Sequence, residues 1–356
     1  MQLLDRHRAL GISEQIDYDK FYLYSIIVHS TAIEGSTVTE VEAQLLFDEG
    51  ITSSKRTMVE QQMNLDLKAA YEYGREWIKR HEPITVDWLV TLASKVMAHT
   101  GIEYSAMGGN FSAAKGELRK LNVSAGIGGK SYMSYLKVPE RLAAFCEELN
   151  RRRSELRVKL ASTMTSLDGG RPEVNRRRKA VDPTDICAVY DLSFWAHYEL
   201  VTIHPWADGN GRTCRLLMNL LQMEFGVLPT KVLIEDKATY IQALVDTREA
   251  EDITIFQNCM ASLHIQHLKS DIDHYIKSTM DTTQKNKTTT QEVLTATQKA
   301  ILDYLKDHPK ATRQEVAEAL GNITEDGIKY HFSRLQKKGY LKREGGRKLG
   351  WWVALD

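Results

Sequence analysis

The stretch His204-Pro-Trp-Ala-Asp-Gly-Asn-Gly-Arg-Thr-Cys-Arg215 is polar and glycine-rich where its flanks are apolar. Eight of its twelve residues are Gly, Asn, Asp, His, Arg or Pro, and it separates two helix-like apolar runs at residues 186–203 and 216–225. Such an interruption inside a helical core costs stability, which points to function. Gly209 and Gly211 allow a tight turn and close approach of backbone to a ligand. A helix starting near Arg212 aims free N–H groups and the positive end of its dipole at one spot, an anion site. Arg212 and Arg215, three positions apart, add forked donors suited to phosphate oxygens. Asp208 can hold a hard cation, and His204 can take a proton near neutral pH. Together these residues read as a nucleotide-phosphate site with a base beside it. The bland alternative is a polar helix–helix loop.

The same twelve residues resemble the signature of the Fic family, His-Pro-Phe-x-Asp-Gly-Asn-Gly-Arg-x-x-Arg, with Trp206 where Phe is usual. A short glycine-rich loop alone would be a weak match, but here many fixed positions of different chemical type agree.

The chain has 356 residues, which predicts two or three domains and a large core. Its 47 basic and 47 acidic residues cancel, so no global charge favours nucleic acid or an acidic membrane. No apolar run approaches the ~20 residues that cross a bilayer, and the first residues lack the apolar stretch of a secretory signal. Cys146, Cys187, Cys214 and Cys259 are scattered and read as reduced, buried small hydrophobes. The expectation is a soluble, cytoplasmic, multi-domain protein with no membrane association.

Helix-period apolar patterns dominate, so the chain reads as mainly α. One helix is expected over residues 21–33, and Thr39-x-x-Glu42 fits a capping box ahead of Ala43, Leu45, Leu46 and Phe47. Helical patterns continue over 63–77 and 86–97. Residues 116–139 read instead as two short strands about the Gly126-Ile-Gly-Gly turn, followed by a helix over about 139–150. Residues 151–183 carry Arg151-Arg-Arg and Arg176-Arg-Arg-Lys around a polar stretch, either a solvated helix end with a long loop or a basic surface for a partner. Helices are expected over 185–225 and on to about residue 275. Residues 279–296, rich in Thr, Gln and Lys, read as a linker. From residue 297 the order is three helices and a two-stranded wing, which resembles a winged helix-turn-helix domain. The expected fold is therefore a Fic-type helical bundle with a β-hairpin flap, plus this small domain. Its divisions are an N-terminal helical region at 1–78, a catalytic domain at 79–278, the linker, and the winged helix at 297–356.

The resemblance implies adenylyl transfer, in which a target hydroxyl attacks the α-phosphate of ATP and pyrophosphate leaves. By position, His204 would be the general base and Asp208 the magnesium ligand. Gly209, Asn210 and Gly211 would form the anion-binding turn, with Asn210 reaching the α-phosphate. Arg212 would hold the β-phosphate and Arg215 the γ-phosphate. Tyr240 matches the family's tyrosine beside the nucleotide, although a lone aromatic also suits a core. The hairpin at 116–139 would be the flap on which a target segment adds as a strand, with Arg119, Asn122 and Val123 in its opening strand. Trp206 is expected to serve packing.

Ser30-Thr-Ala-Ile-Glu34-Gly35 fits the family's inhibitory pattern, Ser/Thr-x-x-x-Glu-Gly/Asn. Ser30 and Glu34 share a helix face, and a carboxylate at a helix C-terminus needs a compensating cation. The resemblance names Arg215 as that cation, with the γ-phosphate excluded as a result. The substrates implied are ATP with Mg2+ and a protein bearing a Tyr, Ser or Thr hydroxyl, this chain itself included. A homodimer and removal of AMP by the same site stay open. His264, His267, Asp271 and His274 form a stripe of metal-ligand types that more simply marks a solvated face. Lys329, His331, Arg334, Lys337, Lys338, Lys342, Arg343, Arg347 and Lys348 gather on the third helix and wing of the C-terminal domain, a surface for DNA or for protein. A nucleotide-responsive transcriptional regulator is the competing function.

Overall fold

The computed structural model describes residues 2–125, 130–166, 183–288, 296–321, 323–337, 339–345 and 350–355. The chain divides into two compact units, Met1–Ile276 and Lys277–Asp356.

The first unit holds the helices α1 (Gln2–Ala9), α2 (Tyr18–Ile33), α3 (Glu40–Glu49), α4 (Met58–Lys79), α5 (Val86–Val96), α6 (Val138–Ser166), α7 (Pro183–Ile203), α8 (Asn210–Glu224), α9 (Lys237–Ala250) and the first part of α10 (Ile253–Thr288). The described residues are thus mainly helical, as the apolar periodicity predicts. The expected capping box closes α3: Thr39 accepts from the Glu42 N–H while the Glu42 carboxylate accepts from Thr39 N.

Helix α8 is central. Leu216, Leu217, Leu220 and Leu221 are fully buried, packed with Leu67 and Tyr71 of α4 and Leu200 of α7. Gly74 permits the close α4–α8 approach, because a Cβ there would lie 2.3 Å from Leu220 Cδ1. Two buried polar side chains in the later turns of α8 are satisfied: Tyr71 donates to Asn219 at 2.7 Å, and Gln222 donates to Ser193 at 2.9 Å. At the end of α8, the fully buried Glu224 carboxylate accepts from Arg153 at 3.0 Å and pairs with Arg157 and His81.

The end of α2 is pinned laterally. Thr31 donates to Asn64 of α4 at 3.0 Å, and Asn64 donates onward to Ser36 at 3.1 Å. Gly35 has φ +103°, which lets the chain turn directly after Glu34.

Several expectations are corrected. Helix α6 continues to Ser166, so Arg151–Arg153 lie on a helix and not at its solvated end. Arg151 pairs with Glu148 and Glu155, Arg152 lies 4.0 Å over the Trp195 ring, and Arg153 is buried, so these cations are committed within the fold. The second basic run, 176–179, lies outside the described residues. A two-stranded ladder not foreseen pairs β1 (Glu103–Tyr104) with β2 (Phe111–Ser112). Residues 279–288 continue α10 where a linker was expected. Cys187 is exposed and Cys259 only partly covered, while Cys146 and Cys214 are buried. His264 and His267 are buried too, against Tyr190 and Asp236, so the first half of the stripe is not a solvated face, while Asp271 is half-buried and His274 exposed. Among the described residues no cluster suited to a metal ion occurs.

The second unit holds α11 (Ala296–Asp307), α12 (Arg313–Leu320), α13 (Glu325–Lys337) and the antiparallel pair β3 (Leu341–Glu344) and β4 (Trp351–Ala354). Its core joins Ile301, Leu305, Val316, Ile328, Phe332, Leu335 and Trp352. This is the expected order of three helices and a wing. Among the described residues no helix is long and apolar enough to cross a membrane.

Candidate active site

Helix α7 stops at His204, whose φ of +52° is left-handed, an uncommon conformation for a non-glycine residue. Its N–H still bonds Leu200 O at 3.1 Å. The His204 Nδ1 lies 3.3 Å from Val201 O. A carbonyl only accepts, so Nδ1 carries the proton and Nε2 keeps its lone pair. Burial lowers the His204 pKa to about 4, with Arg119 adding to the effect against the bond to Val201 and the charges of Glu34 and Asp208. At neutral pH the ring is an uncharged acceptor.

The loop after His204 is braced from two sides. Trp206 is buried and donates its indole N–H to Gly116 O at 2.9 Å, a bond that Phe could not make. Asn210 accepts from Trp206 N at 3.1 Å and donates to Trp206 O at 2.8 Å. The Asn210 amide thus secures the turn, and what this residue turns outward is its place in the first turn of α8.

Gly209 caps α8 with φ +80°. The bond from Thr213 N to Gly209 O, 3.0 Å, leaves the N–H groups of residues 210–212 outside the helical ladder. That makes an anion nest, and a carboxylate stands at it: a Cβ on Gly211 would lie 2.5 Å from Glu34 Oε1. Arg215 Nη2 donates to the same Oε1 at 2.6 Å, while its Nε and Nη2 donate to Ser30 Oγ and Ser30 O at 2.9 Å each. Burial pushes the Glu34 carboxyl up, but the charge and hydrogen bond of Arg215, with Arg212 and Lys237 behind it, hold it below the ordinary range. Burial likewise opposes the Arg215 charge, and Glu34 with Tyr240 more than restores it.

Tyr240 lies in the core beneath this pair. Its ring centroid is 5.9 Å from the Arg215 guanidinium carbon and its hydroxyl 2.9 Å from Nε2 of the buried His197. Arg212 is buried, with Nη2 2.9 Å from Met97 Sδ and 3.6 Å from Asp208, and its Nε has no hydrogen-bond partner among the described residues. Asp208 is 57% exposed and accepts from Gly209 N at 2.5 Å, a reachable oxygen donor of the kind a hard divalent cation takes. An incompletely partnered guanidinium, a helix N-terminus and an accessible carboxylate fit a polyphosphate with its cation.

The region expected to form the flap is held more tightly than its sequence suggests. Tyr132 N bonds Val123 O at 3.0 Å and Ala125 N bonds Lys130 O at 3.2 Å about an antiparallel Ser124–Ser131 bridge. The expected hairpin is thus reduced to this short pairing among the described residues, and the turn at 126–129 lies outside them. Asn122 accepts from Tyr135 N at 3.0 Å. Arg119, expected at the docking edge, is instead buried. It donates to His204 O at 2.7 Å, Leu121 O at 2.8 Å and Met133 O at 2.7 Å, so its guanidinium is enclosed by carbonyls. The sequence also gave no sign of Tyr132, whose ring lies 3.9 Å from the His204 ring at an interplanar angle of 18°.

Residues 83–222 match the family model of the Fic/DOC family, and residues 294–342 that of a winged helix-turn-helix DNA-binding family. The chain is 26% identical over 260 residues to the protein adenylyltransferase fic-1 of Caenorhabditis briggsae, covering 72% of this chain and 42% of that protein. It is 26% identical over 254 residues to the protein adenylyltransferase Fic of Nematostella vectensis, covering 71% of this chain and 48% of that one. The chain therefore spans less than half of these relatives. In fold it is similar to a Fic family protein from Desulfovibrio desulfuricans, with TM-score 0.57 and 16% identity over 99% of this chain and 93% of that one. It is also similar to a Fic domain containing signaling protein from Bacteroides thetaiotaomicron, with TM-score 0.55 and 20% identity over 76% and 94%.

Proposed function

We propose that this chain, which carries a Fic domain and a C-terminal winged helix-turn-helix domain, transfers AMP from ATP to a protein hydroxyl and is held inactive by Glu34. The observation that carries the reading is the Glu34 carboxylate at the N-terminus of α8, paired with Arg215 where phosphate would enter.

His204 Nε2 accepts the proton of a target Tyr, Ser or Thr hydroxyl as that oxygen bonds the α-phosphorus. The bond between the α-phosphorus and the bridging oxygen breaks, and its electron pair leaves with pyrophosphate. The products are an AMP ester of the target, pyrophosphate and an imidazolium, which returns its proton to solvent. The N–H groups of residues 210–212 and the α8 dipole receive phosphate oxygens, Arg212 the β- and Arg215 the γ-phosphate. Asp208 would hold Mg2+, which when bound supplies positive charge beside the phosphates. Phosphoryl-type transfer rests on positioning and charge neutralisation, and this residue set supplies both with one proton acceptor.

With Glu34 in place, Arg215 is already neutralised and a γ-phosphate meets a carboxylate of like charge. Activation requires the end of α2 to release that contact. A second reading, a DNA-bound regulator that senses nucleotide, draws on the exposed Lys329, Arg334, Lys342 and Arg343 of α13 and β3.

Wild type, Glu34→Gly and His204→Ala should be incubated with magnesium and ATP labelled at the α- or γ-phosphate, with purified protein and with cell lysate. The reading predicts protein labelling from the α-label alone, raised in the Glu34 variant and abolished in the His204 variant. Labelling from the γ-phosphate would replace it with phosphotransfer. Nucleotide-responsive DNA retention indifferent to His204→Ala, without labelling, would favour the regulator.

A further inference from the structure

We propose that Tyr132 is a positioning residue for His204, fixing the imidazole plane by stacking on its face. This rests on the proposed role of His204 as base.

The stack is nearly parallel and close, 3.9 Å between centroids at 18°. It is secured at its backbone as well. Arg119 donates Nε to the His204 carbonyl and Nη2 to the carbonyl of Met133, the neighbour of Tyr132, both at 2.7 Å. One buried guanidinium thus joins the backbone beside each ring. The Tyr132 N–H bond to Val123 O at 3.0 Å fixes the flap strand from the other side. Among the described residues the ring's one side-chain hydrogen bond is the 3.3 Å contact from Nδ1 to Val201 O, which selects its tautomer and by itself leaves rotation about the side-chain bonds open. Stacking from Tyr132 closes that freedom and leaves the Nε2 edge uncovered by the stack.

The stack has an electrostatic consequence. Tyr132 covers one face of a ring whose pKa is depressed chiefly by burial. The charged groups around His204 are Arg119, which lowers its pKa, and Glu34 and Asp208, which raise it; Arg248 acts on Tyr132. Removing the tyrosine ring hydrates the imidazole without changing any of these charges.

The test uses the full chain with Tyr132→Phe and Tyr132→Ala. His204 is titrated by NMR of its ring nitrogens in the absence of nucleotide, so the result does not depend on any activity. Tyr132→Phe should leave the titration near the wild-type position. Tyr132→Ala should move it up from about 4 toward the ordinary 6.5 and allow exchange of the Nδ1–H tautomer. In a Glu34→Gly background, Tyr132→Ala should lower kcat for AMP transfer about a hundredfold with KM for ATP unchanged, since a misoriented group costs rate and not nucleotide binding. Tyr132→Phe should retain kcat. An unchanged His204 titration in a folded Tyr132→Ala chain, or an equal shift in Tyr132→Phe, overturns the proposal. Absence of AMP transfer in every variant would count against the function proposed above while the titration still decided the role of Tyr132.

Discussion

Arg215 Nη2 stands 2.6 Å from Glu34 Oε1, joining residues 181 positions apart in the chain. Arg215 is almost wholly buried and Glu34 about one-third exposed, so the pair is only partly shielded from water. Glu34→Gln removes the charge and leaves the guanidinium with Ser30. The expected cost is about 1–3 kcal/mol, below that of a fully buried pair, read from urea unfolding. Magnesium-ATP should then raise the melting temperature of the variant more than that of wild type. A smaller rise would mean that Glu34 does not compete with nucleotide.

A second prediction concerns acid. The folded pKa of His204 is about 4, and those of His197 and His264 are about 3, against 6.5 for each when free. Below about 6.5 the unfolded chain binds protons that these buried rings refuse. Stability should therefore fall as pH drops from about 6.5 toward 4. Urea midpoints measured across this range should decline with a shallower slope in His204→Ala. An unaltered slope would place the His204 pKa near its ordinary value.

Gly211→Ala tests the carboxylate at the helix N-terminus. The new Cβ would lie 2.5 Å from Glu34 Oε1 and 3.0 Å from Arg215 Nη1. In wild type the overlap should cost about 1–3 kcal/mol. In a Glu34→Gly background most of that cost should vanish, so a double-mutant cycle reads the contact itself. Additive effects of the two substitutions would show that the contact is absent in solution.

Glu224→Gln leaves Arg153 buried with a neutral partner. Both side chains of this pair are at most 2% exposed. A loss of about 3–5 kcal/mol is expected from thermal or urea unfolding, with nucleotide binding retained in the folded fraction. A loss under 1 kcal/mol would mean that water reaches the pair.

Much of the site is local in sequence and was readable there. Gly209 and Gly211 announce the turn, Thr39 and Glu42 announce the start of α3, and a carboxylate at a helix end announces that Glu34 needs a cation, while Arg215 as that cation is implied by the family resemblance alone. What escaped depends on contacts between distant segments. Tyr132 meets His204 across 72 positions (204 less 132), and Arg119 reaches the His204 carbonyl across 85, so neither has a periodic signature. The strands β1 and β2 have two residues each, too few for alternation to register. Polar side chains at helical spacing, His264 and His267, read as a solvent face because their buried partners, Tyr190 and Asp236, lie on other elements. Arg151–Arg153 misled for the same reason: two of the three find partners on α7 and α8.

The most direct test of the central claim is the initial rate of AMP incorporation by Glu34→Gly relative to wild type, with saturating magnesium-ATP and lysate or the chain itself as acceptor. The account predicts a rise of at least about tenfold, equivalent to removing about 1.4 kcal/mol of inhibition, and its loss in the Glu34→Gly, His204→Ala double variant. Equal rates for Glu34→Gly and wild type, or incorporation that persists without His204, would contradict it.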